Sequence, residues 1–198
     1  MQLVLIKEPE SEIITLEEAK EYLRIDHDFD NALISNLIKT TRETMESIIQ
    51  KSVLRQTWEY ILDNDSVRRF DPDSYDHPSI FCDITRIPLP KSPVIRVISV
   101  FINEYKLEER CYSPTEAIGR SYLCINSDKF LEYKEACIKI TYESGISEKL
   151  EKVPYQLKLA NLMLLANAYQ DRFSPKQEGI VSPGVKQLLS PFINLRIA

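Results

Sequence analysis

The period of the hydrophobic residues changes twice along the chain, and this change limits the possible folds more than any motif. Apolar residues recur at helical spacing from about residue 15 to 50, in alternation from about 53 to 145, and at helical spacing again from 153 to 172. The two periods are not interchangeable, because helices and strands place neighbouring side chains on different faces. The order predicts an α+β fold, with a helical bundle core (two N-terminal helices plus a long C-terminal helix) and a β-rich middle insertion.

Two helices are predicted at the start of the chain. Thr15 is a good N-cap, and Glu18 three residues later completes a capping box, so the first helix runs from about 16 to 24. The second helix, from about 30 to 50, has one apolar face and one polar face. Helical spacing therefore predicts that Arg42 and Glu46 lie on the polar face.

Strands are predicted in the middle of the chain and at its N-terminus. Residues 63 to 79 are rich in Asp, Ser and Pro and are predicted to form an exposed loop. The predicted strands, rich in β-branched and aromatic residues, cover residues 1–9, 53–62, 84–90, 93–103 and 136–142, with weaker ones at 109–112 and 122–125.

The last long helix is apolar nearly all round, so it needs cover on several sides. The second helix and the sheet are expected to cover two sides, and a neighbouring subunit is the natural candidate for the rest. The residues expected at such a subunit interface are Lys39, Arg42, Glu46, Leu159, Met163 and Tyr169.

The C-terminal region separates into a polar linker and an apolar tail. We expect one domain over residues 1–173, followed by linker and tail over 174–198. Large apolar side chains are concentrated in the tail, at Val185, Leu188, Leu189, Phe192, Ile193, Leu195 and Ile197. Two interpretations stay open: the tail folds back onto its own core, or it docks onto a partner and gains about 1.5–3 kcal/mol for each fully buried side chain before ordering costs.

No set of residues in the sequence indicates catalysis, a metal site or a cofactor site. His27 and His77 lie in predicted loops without a nucleophile setting. Asp26, Asp28 and Asp30 alternate, but the glycine and closing glutamate of a calcium loop are missing, so helix caps and a polar turn explain them better. The four cysteines are expected to be buried reduced thiols. The N-terminus lacks the pattern of a signal peptide.

The net charge of −5 argues against a protein that grips nucleic acid over a broad surface. Such binding requires clustered Lys and Arg side chains that displace counterions. Arg68 and Arg69, with nearby aromatic residues, form only a small patch in the predicted loop.

Several motifs, in order and at family-like spacing, resemble one known family. They are Thr15–Asp26, Asp28–Ile34, Gln56–Trp58, Ile87–Pro90, Ile138–Gly145, Val153–Lys158 and Val185–Phe192. Together they are similar to the head–tail connector, or adaptor, proteins of long-tailed bacteriophages, prophages and gene transfer agents. The resemblance extends over residues 15 to 197.

The resemblance implies a structural role without cofactors. In that family about twelve copies form a ring below the portal protein, extend the DNA channel and receive the next head-closure or tail connector protein. For this chain it implies a place in the virion at the head–tail junction, after synthesis in the bacterial host cytoplasm. An acidic channel would let DNA slide without specific binding, because it repels phosphate.

A nucleic-acid-binding DNA-packaging accessory protein is the alternative from a different functional class. It would use Arg68 and Arg69. A filter-binding titration against salt separates the two functions, since phosphate contacts produce a steep loss of affinity as salt rises.

Overall fold

The structure is a computed structural model that describes residues 1–63, 84–117, 119–126, 137–171 and 181–193. The chain divides into two compact units. The sheet unit comprises Met1–Glu8 and Arg55–Gly145, and the helical unit comprises Pro9–Leu54 and Ile146–Ala198. Each unit has its own cluster of buried hydrophobic residues. The domain end expected at residue 173 falls inside the helical unit.

Four α-helices form the described part of the helical unit. They are α1 (Leu16–Leu23), α2 (Asn31–Ile49), α3 (Tyr155–Gln170) and α4 (Pro183–Leu189), with 3₁₀ turns at Leu150–Lys152 and Ser190–Phe192. Helix α3 contacts the other three, most extensively α2. It is therefore the element on which this unit is assembled.

Local sequence explains where these helices begin and end. The Thr15 hydroxyl accepts a hydrogen bond from the Glu18 N–H, and the Glu18 carboxylate accepts one from the Thr15 N–H, which confirms the predicted capping box. Helices α1 and α2 end at Arg24 (φ 57°) and Gln50 (φ 58°) in the left-handed conformation that glycine usually supplies. Both residues thus end their helices at some cost in backbone strain.

The core of the helical unit combines side chains from all four helices. Ile34, Ile38 and Met45 of α2 are fully or almost fully buried, and Leu164 of α3 is buried with them. The apolar face predicted for the second helix is therefore the face that packs inward.

Two antiparallel sheets form the sheet unit. Its strands are β1 (Gln2–Lys7), β2 (Gln56–Leu62), β3 (Ile84–Leu89), β4 (Val94–Ile102), β5 (Tyr105–Lys106), β6 (Tyr112–Ala117), β7 (Arg120–Asn126) and β8 (Ile138–Ser144). One sheet has the order β1-β2-β8-β4-β5, and the other has the order β3-β7-β6. Every pair of neighbouring strands is antiparallel.

Alternation along the strands builds the sheet core. On β8, Ile138, Ile140 and Tyr142 are buried, whereas Lys139 between them is exposed. Residues from both sheets contribute to the same buried cluster, for example Tyr142 and Leu123. The two sheets therefore share one core.

The predicted α+β class is confirmed, but a helical bundle core that merely carries a β-rich insertion is not supported. The β-rich region has its own core, and it includes the chain's first strand, because β1 pairs with β2. The last long helix has 16 residues and is followed by the short α4. The strand expected near 109–112 is a 3₁₀ turn at Glu109–Cys111 followed by β6.

Some predicted features differ from the structure or lie outside its described part. The loop expected over 63–79 lies outside the described residues except for Asp63. Among the described cysteines, Cys137 is exposed and Cys111 and Cys124 are only half-buried, so the expected burial of the thiols is wrong for these three. Each is close to a strand end or on an outward strand position, where β-like sequence does not ensure burial.

No helix within the described ranges is long and apolar enough to cross a bilayer.

Candidate protein–protein interaction site

An apolar groove lies on the surface of the helical unit. Its volume is about 750 Å³, and α1, α3 and α4 contribute to its walls. The lining residues are Ile14, Glu18, Glu21, Tyr22, Tyr155, Gln156, Lys158, Leu159, Leu162 and Leu188. We call it the α1/α3 groove.

Three large side chains in this groove are exposed to solvent. Tyr155 is 87% exposed, and Tyr22 and Leu159 are each 42% exposed. Scattered exposed apolar residues are ordinary on a protein surface, but several in one groove mark an interaction site. The groove is therefore suited to bind an apolar segment of a protein.

The helices hold these side chains in fixed positions. The capping box sets the start of α1, and Ala19 of the same helix is fully buried in the core. On α3, Leu157 and Leu164 are fully buried on the core side, while Leu159 projects toward the groove. This face of α3 is thus uncovered in the single chain, and its cover by a neighbouring subunit stays a prediction.

The groove has charged groups near its apolar floor. Glu18 and Glu21 of α1 and Lys158 of α3 lie among the lining residues. Two carboxylates against one ammonium group leave an excess of negative charge. A segment with apolar side chains and one cation would complement this arrangement.

The residues predicted for a subunit interface occupy very different environments. Leu159 lines the groove, and Lys39 is half-buried on α2. Met163 packs against the core of the helical unit. Its Cε is so close to Gly184 that the Cβ of any larger residue at that position would lie 3.1 Å from it. The Tyr169 hydroxyl donates a hydrogen bond to the Asp30 carboxylate at the start of α2.

Arg42 and Glu46, which the sequence places on the polar face of α2 and among the expected interface residues, are instead buried inside the helical unit. The two side chains are 1% and 3% exposed and pair at 3.1 Å. Glu12 covers them, because its carboxylate accepts a hydrogen bond of 2.6 Å from the Arg42 Nε. Desolvation lowers the pKa of Arg42, but the hydrogen bond to Glu12 and the charge of Glu46 outweigh it and raise the pKa overall.

The apolar residues of the predicted tail separate into three groups. Val185 and Leu189 are fully buried in the helical unit's core, and Leu188 and Phe192 pack against that core half-buried. Ile193 is exposed. Leu195 and Ile197 lie outside the described residues. The fold-back interpretation thus applies to α4 and Phe192, and docking by the residues that follow stays a prediction.

The loop between α1 and α2 is stabilised by contacts within the protein. The Asp28 carboxylate accepts hydrogen bonds from Lys20 Nζ at 2.6 Å and Asn31 Nδ2 at 3.1 Å, and these bonds lower the pKa of Asp28. His27 is exposed and lies beside Phe29. Asp28 therefore stabilises the polar turn that the sequence indicates, whereas the Asp30 side chain makes no capping hydrogen bond at the start of α2.

Across the described ranges, no group of three or more His, Cys, Asp or Glu side chains is placed to hold a metal ion. His77, Arg68 and Arg69 lie outside those ranges.

Sequence reasoning missed a charged cluster on the sheet unit. The Glu143 carboxylate on β8 accepts hydrogen bonds from Arg96 Nε at 2.8 Å and from Arg55 Nε at 3.0 Å. The hydrogen bond from Arg96, followed by that from Arg55, lowers the pKa of Glu143 even though desolvation raises it. Its partners are 47 and 88 residues away in sequence, so no local pattern indicates the cluster.

Sequence reasoning also missed most of the groove. Tyr22 belongs to the apolar stripe of α1, and the pattern predicts a buried side chain for such a position. Tyr155 follows Pro154 at the start of α3, and nothing in the pattern distinguishes it from a core residue. Two lining residues were predicted as contact residues: Leu159, from the excess of apolar residues on its helix, and Leu188, as part of the apolar tail.

The fold is shared with solved structures of particle necks. The chain covers 98% of a chain in "Neck of empty GTA particle computed with C6 symmetry", with all of this chain covered, a TM-score of 0.73 and 15% identity. Two further structures, "Virion of native gene transfer agent (GTA) particle" and "Neck of native GTA particle computed with C12 symmetry", match with TM-scores of 0.70 at 15% and 14% identity and the same coverage. At these identities the likeness establishes the fold alone.

Sequence comparison identifies the family. No curated protein sequence matches the chain. A family model described as "Phage gp6-like head-tail connector protein" matches residues 13–122, which is more than half of the chain. The matched part includes α1, α2 and most of the strands, and the resemblance inferred from the motifs is confirmed. The chain belongs to the family of phage gp6-like head–tail connector proteins.

Proposed function

We propose that the protein is a structural subunit of a connector ring at the head–tail junction of a phage or phage-derived particle. Membership of the head–tail connector family carries this proposal. The shared fold adds support, because chains of this fold occur in particle necks solved with C6 and C12 symmetry. The protein acts by assembly and catalyses no reaction, and it needs no cofactor.

A ring requires two different contact surfaces on each subunit. Each copy must present one surface to the copy on one side and a second surface to the copy on the other side. We place the α1/α3 groove in one of these surfaces, because Leu159 and Tyr155 are exposed there. Lys39, on another helix of the same unit, is a candidate for the other surface.

The portal protein is the proposed partner on the head side. Docking uses three apolar residues at the end of the C-terminal region, namely Ile193, which is exposed, together with Leu195 and Ile197. Val185 and Leu189 support this segment from the core and do not contact the portal, since both are fully buried. The next head-closure or tail connector protein binds the opposite side of the ring.

The ring extends the DNA channel without gripping DNA. A chain with a net charge of −5, repeated around a ring, repels phosphate and thus favours sliding. The protein is made in the host cytoplasm and works in the virion.

Co-purification with the portal protein encoded by the same element tests the proposal. The full-length chain is expected to bind a tagged portal and to form a ring visible by electron microscopy. The double variant Leu195→Asp/Ile197→Asp is expected to lose at least about 90% of that binding, because carboxylates replace the apolar contacts. Ile98→Asp, at a 40% exposed position of the sheet unit, is the matched control and should bind normally.

Two outcomes would contradict parts of this function. Absence of any binding by the unaltered chain would contradict portal recruitment. Equal binding by the double variant and the control would contradict the docking role of the C-terminal residues.

A further inference from the structure

The α1/α3 groove offers an incoming segment both apolar surface and charges of both signs. Tyr155 and Leu159 expose apolar side chains in this groove of about 750 Å³. The charged lining residues belong to two helices, since Glu18 and Glu21 lie on α1 and Lys158 lies on α3. A complementary segment therefore has an exposed apolar side chain, a cation for the carboxylates of α1 and an anion for the ammonium group of α3.

Two exposed aromatic residues of the chain are candidates for that apolar side chain. Among the described residues outside the groove, the most exposed large apolar side chains are those of Phe29, at 94%, and Tyr105, at 67%. Phe29 lies between two aspartates, whose charge the carboxylates of α1 would repel. Tyr105 lies between Glu104 and Lys106, both exposed, so one anion and one cation accompany it. The charges of the groove thus favour Tyr105.

The β4–β5 hairpin holds Tyr105 next to a tight turn. Ile102 pairs with Tyr105, so Asn103 and Glu104 form a two-residue turn. Asn103 has a φ of 55°, and its Oδ1 accepts a hydrogen bond of 2.9 Å from the Cys137 N–H. Asparagine adopts this left-handed conformation more readily than most other residues with a side chain. The turn is therefore formed before binding, which lowers the ordering cost of a contact made by Tyr105.

We propose that the α1/α3 groove of one copy binds the tip of the β4–β5 hairpin, residues 103–106, of a second copy. Tyr105 of the hairpin packs on the apolar surface formed by Tyr155 and Leu159. An aromatic side chain that enters an apolar pocket is the typical anchor of a protein–protein contact. The groove volume is within the range of about 300–1,000 Å³ that is common for binding sites, so it has room for this side chain.

The charges on both sides of Tyr105 fix the orientation of the hairpin in the groove. Lys106 lies against the carboxylates of α1, of which that of Glu21 is exposed. Glu104 lies toward Lys158 of α3. The reversed orientation would bring like charges together on both sides of the groove. The contact therefore has one preferred direction.

This contact supplies the repeating interface of a ring, and this step rests on the proposed function. The groove belongs to the helical unit and the hairpin belongs to the sheet unit, so they are two different surfaces of each copy. A contact between unlike surfaces is heterologous, and it repeats from copy to copy until the ring closes. The hairpin of each subunit thus binds the groove of the next subunit.

Photo-crosslinking between isolated full-length chains tests the contact without the portal. One chain carries the photoreactive p-benzoylphenylalanine in place of Tyr105 and is mixed at high concentration with an isotopically labelled, unaltered chain. Mass spectrometry then separates adducts between copies from adducts within one chain. We expect adducts with residues 18–22 or 155–162 of the labelled chain. The same probe in place of Phe29, which is even more exposed, is the matched control and should give no such adducts.

Charge changes placed on separate chains test the orientation. Lys106→Glu in the chain with the probe is expected to lower the yield of groove adducts at least about fivefold, because like charges then face each other. Glu21→Lys in the labelled chain is expected to restore the yield with that variant and to lower it with the unaltered lysine. Circular dichroism spectra check that each variant is folded.

Groove adducts between copies whose yield follows both charge changes would establish the contact. Four results would overturn it: no adduct, adducts within one chain only, adducts between copies only outside the groove, or groove adducts whose yield ignores the charge changes. None of these results involves the portal. The co-purification experiment therefore decides the proposed function separately.

Discussion

Arg42 and Glu46 lie one turn apart on α2 and form a buried ion pair of 3.1 Å. The pair also connects distant parts of the helical unit. Arg42 donates to Glu12, which precedes α1, and the second oxygen of Glu46 accepts a hydrogen bond of 2.8 Å from the Val53 N–H, beyond the end of α2. The cluster therefore fixes the chain at both ends of the first helical pair.

Substitution of Glu46 by glutamine is expected to destabilise the helical unit by about 3 kcal/mol, because it leaves the buried Arg42 with fewer partners. Urea unfolding followed by far-ultraviolet circular dichroism measures the change. Glu43→Gln is the matched control: its carboxylate lies 3.8 Å from Arg42 and is 52% exposed, so a loss of about 0.5 kcal/mol or less is expected. Equal losses in the two variants would contradict a structural role specific to Glu46.

Helix α2 shows that the period of the apolar residues predicts the ends of a helix but not the burial of every polar side chain on it. The spacing of apolar residues predicts the helix to within about one residue at each end, because helix formation and burial depend on neighbours three and four positions away. The burial of Arg42 depends on Glu12, 30 residues earlier in the chain. A contact at that separation cannot be detected in the helical pattern, which therefore predicts the polar face but not the burial of Arg42 within it.

Thr15→Ala is expected to cost about 1 kcal/mol, since the variant loses the side-chain cap of α1. Thermal unfolding measured by circular dichroism should show a lower midpoint. Thr40→Ala makes the same substitution at an exposed position in the interior of α2, where the threonine does not cap the helix. That control is expected to change stability by less than about 0.5 kcal/mol, because alanine is the better helix former. A larger effect at Thr40 than at Thr15 would show that the cap contributes little.

Tyr169→Phe removes the hydroxyl that donates to Asp30 and so disconnects the end of α3 from the start of α2. We expect a loss of about 1.5 kcal/mol, which is typical of a hydrogen bond to a charged acceptor. The control Tyr155→Phe removes a hydroxyl from a side chain that is 87% exposed, and its unfolding midpoint in urea should equal that of the unaltered chain. Indistinguishable midpoints for all three proteins would mean that water replaces the Tyr169 hydrogen bond without cost.

The strand pairing in the sheet unit and the α1/α3 groove could not be predicted from the sequence, because both depend on contacts between distant segments. Strands such as β4 and β8 were predicted because alternation and β-branched residues are local signals. Their pairing was not predicted: β8 lies between β2 and β4, and β2 is also the partner of the N-terminal β1. The groove is missed for the same reason, since Tyr22 and Tyr155 come together only through the packing of α1 on α3.

Glu143 in the middle of the five-stranded sheet should make the stability of the sheet unit depend on pH. Hydrogen bonds from Arg96 and Arg55 hold the pKa of its carboxyl below the ordinary value of 4.5. A carboxyl with a lowered pKa in the folded state contributes stability that is complete above its unfolded pKa and is lost as pH falls through the folded pKa. Trp58, the single tryptophan, lies on β2 in this unit, so its fluorescence reports unfolding of the sheet unit in urea.

The variant Glu143→Gln carries no charge at any pH. It is therefore expected to be less stable than the unaltered chain at about pH 7, and the difference should shrink as the pH is lowered from about 4.5 toward 3. Glu59→Gln is the matched control, because Glu59 also lies on this sheet but pairs with Lys139 only at 3.8 Å. Its loss should be smaller at neutral pH. A difference between Glu143→Gln and the unaltered chain that stays constant down to about pH 3 would show that the contribution of Glu143 comes from packing, because a charge contribution must disappear once the carboxyl is protonated.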